Sequence, residues 1–420
     1  MRRSNKRYNW ERLVGDAAGG FIASLIALPY GLSMAALMGL PPILGVFTSI
    51  ISTPFTVLFG RNPLLIGGAA SGTVPFISAA VRAQGIGGAA KISIVASIFM
   101  MCFCILRLGR QVARVPIAVV AGFSAGIGAL MVISQLPVML GVRASASDIP
   151  IYQLGFVLLQ AAHAHWLPLL LSLLVVLTAF ICTRLSHRIP APLIGMAVSF
   201  AAALLVHSHE PEVGSLHLAV PQFAVFSWTS HDVVNLIPSG FMLAFVASVN
   251  LLLTSRTIEH FQGRHKPLLR ADSDAEVGAY GIANLAVGIF GAPMSVGIPA
   301  RSVAAIRCGA SSRLSNLFHA VFLILFIRYG SGALAHIPMA TLAGVTAYMG
   351  ISLLDIGTWR RLPKMRTLDA AGFLITVVGI LVSNAVAAVV AGASIYLFAW
   401  VYKKHLRPVP ISAGTADRTA

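Results

Sequence analysis

Arg301 is the residue of this chain best suited to do chemistry, because it sits in an apolar stretch where a full charge is expensive. It belongs to Pro299-Ala300-Arg301-Ser302, which follows the glycine- and proline-interrupted run Ala292-Pro293-Met294-Ser295-Val296-Gly297-Ile298. Pro299 fits a first helical position, where its fixed φ suits the helix and its missing N–H costs nothing. A stretch of the same character, Asn62-Pro63-Leu64-Leu65-Ile66-Gly67-Gly68-Ala69-Ala70-Ser71-Gly72, occupies the corresponding place in the first half of the chain. Each leads into an apolar segment too short to cross a bilayer. A helix N-terminus offers unpaired N–H groups and about half a positive charge. Two such ends, starting near Ala69 and Pro299 and facing each other, make an anion site, and Arg301 adds a full charge to it. An arginine at the bilayer centre costs roughly 2.5–3.5 kcal/mol on insertion scales. Two readings of it stand: a charge for the anion, or a pin that bonds backbone carbonyls and only fixes the helix. Ser71 and Ser302 can donate to an oxyanion, although serine in a membrane helix serves packing and back-bonding equally well.

What is missing narrows the chemistry further. Asp16, Glu276, Asp355 and Asp369 fall at span ends, the remaining acidic residues lie in loops or tails, and none stands near a span centre. Proton- and sodium-coupled carriers commonly need a membrane carboxylate. Asn250 and Thr254, one turn apart, stand where one would be expected. His319 is intramembrane, and a single histidine there reads as a packing residue. The spans hold no metal-ligand spacing and no nucleophile–base pair, which argues against an enzyme and against any cofactor.

These residues need a scaffold, and the composition describes it. Of 420 residues, 57% are hydrophobic and only 10% are charged, with a mean hydropathy of +0.85. A soluble domain carries about 25% charged residues, so the chain reads as an integral membrane protein. Its apolar runs are of helical rather than barrel length. The predicted spans are 14–36, 42–59, 68–83, 91–108, 113–140, 166–184 and 190–207, then 238–256, 276–292, 299–310, 314–330, 337–355, 368–384 and 386–403. Residues 150–163 read as an amphipathic helix at the interface. Cys102, Cys104, Cys182 and Cys308 lie in or beside apolar runs and read as reduced and structural.

The net charge of +17 does not point to nucleic acid, because the basic residues cluster between alternate spans as topology signals do. Examples are Arg2, Arg3, Lys6, Arg7 and Arg12; Arg107, Arg110 and Arg114; and Arg360, Arg361, Lys364 and Arg366. The intervening loops hold only Arg82, Lys91, Arg143 and Arg328. Both termini are therefore expected in the cytoplasm of a cell with an inner membrane.

The chain also repeats itself. Pro116, Ala118, Ala121, Gly122, Ala125 and Gly128 recur at one offset as Pro338, Ala340, Ala343, Gly344, Ala347 and Gly350. Seven spans per repeat invert the second half, and Arg107 and its counterpart Arg328 accordingly fall on opposite sides. Duplicated apolar halves, each with a short interrupted helix, are the sequence signature of a secondary transporter whose site lies where the repeats meet. The expected layout is a basic N-terminus (1–13), a first repeat (14–207), an outer loop (208–237), a second repeat (238–403) and a short polar tail (404–420).

Further residues carry a family resemblance. Gly15-Asp16-Ala17-Ala18-Gly19-Gly20, Leu28-Pro29 and Gly39-Leu40-Pro41-Pro42-Ile43-Leu44-Gly45 resemble the opening signature of the sulfate-permease (SulP) anion transporters. So do Asp272-Ser273-Asp274-Ala275-Glu276 with Gly281-Ile282-Ala283-Asn284, and Ala300-Arg301-Ser302 with Arg307-Cys308-Gly309-Ala310. The resemblance covers essentially the whole chain. It implies a 7+7 inverted-repeat fold in which a core domain moves against a gate domain, commonly in a dimer. It also implies an anion site between the third and tenth helices, lined by the first and eighth. The chain departs from the pattern in places. A cytoplasmic STAS domain is expected after the last helix, where the residues beyond Lys404 read as a short tail. The carboxylate many members carry on the eighth helix is Asn250 here, while Thr254 is kept. The glutamine after the first-helix proline is Tyr30, and the Gly-Pro before the third helix is Gly68-Ala69.

The sequence thus predicts an all-α membrane protein of about fourteen segments, with core and gate domains and two half-helices. The expected function is secondary transport of a small inorganic or organic anion by elevator-type alternating access, as exchange or uniport. The candidate site comprises Tyr30, Gly68, Ala69, Ala70, Ser71, Asn250, Thr254, Pro299, Ala300, Arg301 and Ser302. The expected partners are that anion, membrane lipids and a second copy of the chain. A nucleobase permease of the same fold and a voltage-responsive, non-transporting membrane protein are the alternatives.

Overall fold

A computed structural model describes residues 10–109, 116–143, 149–185, 191–207, 210–214, 227–261, 270–383 and 385–405. Most of the basic N-terminus, about half of the outer loop and nearly all of the polar tail expected from the sequence lie outside the described residues. The first half contains α1 (Trp10–Leu37), α2 (Pro42–Phe59), β1 (Gly67–Ala69), α3 (Val74–Ile105), α4 (Ile117–Leu140), α5 (Pro150–Leu159), α6 (Trp166–Leu185) and α7 (Ala191–Leu205). The second half contains α8 (Ser230–Phe261), α9 (Arg270–Ile289), β2 (Ser295–Gly297), α10 (Pro299–Arg307), α11 (Leu314–Ala335), α12 (Met339–Leu353), α13 (Ile356–Arg361), α14 (Thr367–Val382) and α15 (Ala385–His405). Among the described residues, eight helical segments are long and apolar enough to cross a membrane. The nine residues of α10 reach only ~13 Å at ~1.5 Å per residue, far short of the ~30 Å hydrocarbon core.

The helices form two groups. In the core, α3 packs on α8 and α9, α1 packs on α2, α10 and α11, and α2 packs on α9. In the gate, α4 packs on α12 and α14, α6 on α7 and α12, and α14 on α15. The groups meet mainly where α1 crosses α12 and α7. The core is largely apolar, and so is much of the outer surface. On α11 the polar residues Ser315, Asn316 and His319 are buried, while Leu317, Val321, Ile324 and Leu325 face outward, as lipid-facing positions do.

The inverted repeat is visible as packing. A Cβ on Gly128 of α4 would stand 2.5 Å from the Gly350 carbonyl oxygen, and one on Gly350 of α12 would stand 2.6 Å from that of Gly128. The two repeat-related glycines therefore let the two backbones touch reciprocally.

Two boundaries differ from the sequence expectation. The helix expected from Ala69 begins at Val74, after a 3₁₀ turn over Ser71–Thr73, because Gly67–Ala69 is extended and paired. The third and fourth spans form one helical run, α3, broken at Gln84–Gly85 rather than separated by a loop to residue 91. Gly85 adopts φ +62° there, a conformation glycine accepts without penalty.

Candidate functional site

Three-residue strands organise the site. β1 pairs antiparallel with β2 in the register Gly67↔Gly297, Gly68↔Val296 and Ala69↔Ser295. The Ile298 N–H extends the ladder to the Ile66 carbonyl (2.9 Å). Non-helical backbone is tolerated inside a membrane protein only where its polar groups are met in this way or face a cavity. Each strand runs straight into a helix, β1 into the Ser71–Thr73 turn and α3, and β2 into α10. Antiparallel pairing therefore starts the two helices from opposite ends of one short ribbon, and residues of both helix ends, Ala70 and Ser71 with Pro299 and Ala300, line a common cavity. Their caps are Ala70 and Ile298, and neither makes a side-chain cap bond. Residues that would have capped these ends, such as serine or aspartate, are absent from both cap positions.

Buried polar groups hold the strands. Asn284 on α9 donates to the Ser295 carbonyl (2.9 Å) and accepts from the Ser295 N–H (2.6 Å), clamping β2. Glu276 accepts from the Arg61 and Asn62 N–H groups (2.5 and 3.0 Å), and Asn62 in turn donates to Ser255 on α8. Asp16 accepts from the Ser311 and Ser312 N–H groups (2.6 and 3.0 Å), fixing the entry to α11. These acidic residues thus hold backbone together.

Arg301 is fully buried on the first turn of α10. Its Nη1 donates to Ser49 Oγ on α2 (2.9 Å) and to the Gly67 carbonyl (3.3 Å). The guanidinium lies 5.1 Å from the centre of the Tyr30 ring, within cation–π range. Tyr30 in turn accepts from the Ser71 N–H (3.3 Å), tying α1 to the first helix end. Nε and Nη2 of Arg301 have no hydrogen-bond partner among the described residues. The charge pairs with no carboxylate there.

The helix ends open on a cavity of about 580 Å³ between core and gate. Of the residues expected from the sequence, Tyr30, Ala70, Ser71, Asn250, Pro299 and Ala300 line it. Gly68, Ala69, Arg301, Ser302 and Thr254 stand outside that lining. Ser302 is occupied as a staple: its Oγ accepts from the Ile66 N–H (2.9 Å) and donates to the Ile298 carbonyl (3.0 Å). Arg301 stands behind the strand backbone, so its charge reaches the cavity as a field rather than by contact. Thr254 is buried on α8, one turn beyond Asn250.

Sequence reasoning missed two parts of this arrangement. Ser49 anchors the arginine and gave no signal, being one of several serines and threonines along α2. The gate wall consists of Phe123, Ser124 and Ile127 on α4, with Tyr348 on α12, whose Oη lies 2.7 Å from Thr183 Oγ1 on α6. Phe123, Ser124, Ile127 and Tyr348 all fall inside the duplicated motif, which could have pointed to them. The cavity lining continues to exposed Arg307 at the C-terminal end of α10 and to Leu353 at that of α12.

The profile of the sulfate permease family matches residues 13–379. The putative sulfate transporter YvdB of Bacillus subtilis is 23% identical over 382 residues, which cover 89% of this chain and 71% of that protein. The bicarbonate transporter BicA of Picosynechococcus is 26% identical over 390 residues, covering 89% of this chain and 67% of that one. Among solved structures, the transmembrane domain of a cyanobacterial bicarbonate transporter BicA superposes with a TM-score of 0.79 at 24% identity, covering 91% of this chain and 99% of that chain. SLC26A9 superposes with a TM-score of 0.86 at 17% identity, covering 96% of this chain and 67% of that chain. At these identities the structures establish the shared fold.

Proposed function

The chain belongs to the sulfate permease family, and on that premise we propose that it carries a small oxyanion or halide across the membrane through the cavity between core and gate. The observation that carries this reading is the β1–β2 pair. It sets two helix N-termini without side-chain caps on one cavity and places the unpaired charge of Arg301 behind them. The anion sits against the N–H groups near Ser71 and Ala300, which favour negative charge. Tyr30 and Ser71 shape one wall and Asn250 the other. Gly68, Ala69 and Ser302 hold the strand and helix ends in position, Thr254 backs Asn250, and Arg301 acts through the strand.

The core moves against the gate as a body, carrying the helix ends from one side to the other. The cavity faces the end of the bundle where Arg307 lies, which the distribution of basic residues assigns to the cytoplasm. The cytoplasmic termini, the inner-membrane location and the pairing of two copies belong to this same reading. Transport runs as exchange or uniport, because Asn250 is uncharged where a coupling carboxylate would stand.

The test is flux into proteoliposomes holding the purified chain. Labelled sulfate or bicarbonate should enter without a sodium or proton gradient. Uptake that strictly needs such a gradient would overturn the coupling, and an absence of any anion flux would overturn the function.

A further inference from the structure

The gate helix α4 faces two cavities with one stripe. Phe123 and Ile127 line the cavity described above, while Leu130 and Ser134 line a second cavity of about 870 Å³ at the other end of the same seam. Their spacing of i, i+4, i+7 and i+11 puts all four on a single face of the helix. The two cavities are therefore stacked along one wall. The step from Ile127 to Leu130 rises only ~4.5 Å at ~1.5 Å per residue.

The core side divides at the same level. Ser71 and Gly72 line the first cavity, and Val74 and Pro75 line the second. The side chains at the division, Val74, Ile127 and Leu130, are all apolar, and Val74 and Ile127 are buried. Exposed arginines line the far parts of both cavities, Arg307 in the first and Arg82 in the second.

We infer that this chain contains an almost continuous anion pathway interrupted by a single apolar septum of Val74, Ile127 and Leu130, and therefore a latent channel activity. This rests on the anion-transport reading above. An apolar constriction blocks an ion because it offers nothing to replace the hydration shell and dewets. Trimming it lets water and anion through with the core stationary. The native protein keeps the septum dry and passes an anion only when the core shifts.

Two experiments test the septum. In the first, the four native cysteines, Cys102, Cys104, Cys182 and Cys308, are replaced by serine. Ile127→Cys and Leu130→Cys are then introduced singly, and a membrane-impermeant thiol reagent is applied from each side of oriented vesicles. The expected result is labelling of position 127 from the Arg307 side alone and of position 130 from the opposite side alone. Labelling of both from one side, or of either from neither, overturns the inference. In the second, the Val74→Ala/Ile127→Ala and Ile127→Ala/Leu130→Ala variants in planar bilayers should pass an anion current in resolved unitary channel steps, insensitive to the anion on the far side, where the parent's carrier turnover gives no unitary steps. Folded variants that keep the parent's flux and pass no such current overturn it as well. A parent without anion flux would instead defeat the transport reading, and the labelling pattern would still decide the septum.

Discussion

Gly68 lies against the guanidinium of Arg301 so closely that a Cβ at position 68 would stand 2.2 Å from Nη1 and 2.6 Å from Ser49 Oγ. The strand residue and the arginine are thus one fitted unit. Gly68→Ala should push the guanidinium off Ser49 and the Gly67 carbonyl. Overpacking of this kind costs about 1–3 kcal/mol. A lowered unfolding midpoint in detergent together with weakened anion flux is the expected pair of results, and flux at the parental level would separate the glycine from the site.

Arg301→Ala should lose anion binding measured by calorimetry, whereas Arg301→Lys should keep part of it. Lysine retains the charge but lacks the rigid planar group whose Nη1 meets Ser49 and the Gly67 carbonyl while its face lies near the Tyr30 ring. Ser49→Ala should be milder than Arg301→Ala. It removes one hydrogen bond to a charged group, about 1.5–3 kcal/mol, without removing the charge. Unchanged binding in Arg301→Ala would leave the arginine as a pin for the helix alone.

Asn284→Ala should lower stability more than it changes selectivity. It leaves the N–H and carbonyl of Ser295 without partners inside the core, and each buried unmet group costs about 1–3 kcal/mol. The checks are the unfolding midpoint and the ratio of sulfate to bicarbonate flux, of which only the first should move strongly.

Asn250→Asp should make transport pH-dependent. An ionised carboxylate in the cavity wall repels the anion, and protonation relieves the repulsion. Flux should therefore fall as pH rises through the carboxylate's titration and recover as it is lowered. The asparagine parent should show no such step, and a flat profile in the variant would place Asn250 away from the path.

Much of this was legible in the sequence because it repeats. Pro299 and Arg301 stand out beside the matching stretch at Gly67–Ser71, and the short helices follow from segment length. The β1–β2 pair was not legible. Three residues such as Gly67, Gly68 and Ala69 show no strand periodicity, and their partners are encoded in the other half of the chain. That pairing is why the helix expected at Ala69 starts at Val74, and why Arg301 sits behind the wall. Ser49 was hidden for a different reason: a hydroxyl on a membrane helix looks the same whether it packs, back-bonds or holds an arginine. Asp16 and Glu276 stood out as acidic residues expected at span ends, but their backbone partners at Ser311, Ser312, Arg61 and Asn62 come from distant segments.

The pairing of Gly67–Ala69 with Ser295–Gly297 also dictates an order of assembly. A ribosome adding about 5–20 residues per second delivers the second strand on the order of ten to fifty seconds after the first. Through that interval the first strand has emerged without its ladder partner, in a setting where open backbone is poorly tolerated. The binding site is therefore among the last parts of the molecule to mature, and a chain stalled or cut between the two strands should insert helices yet never acquire an anion site.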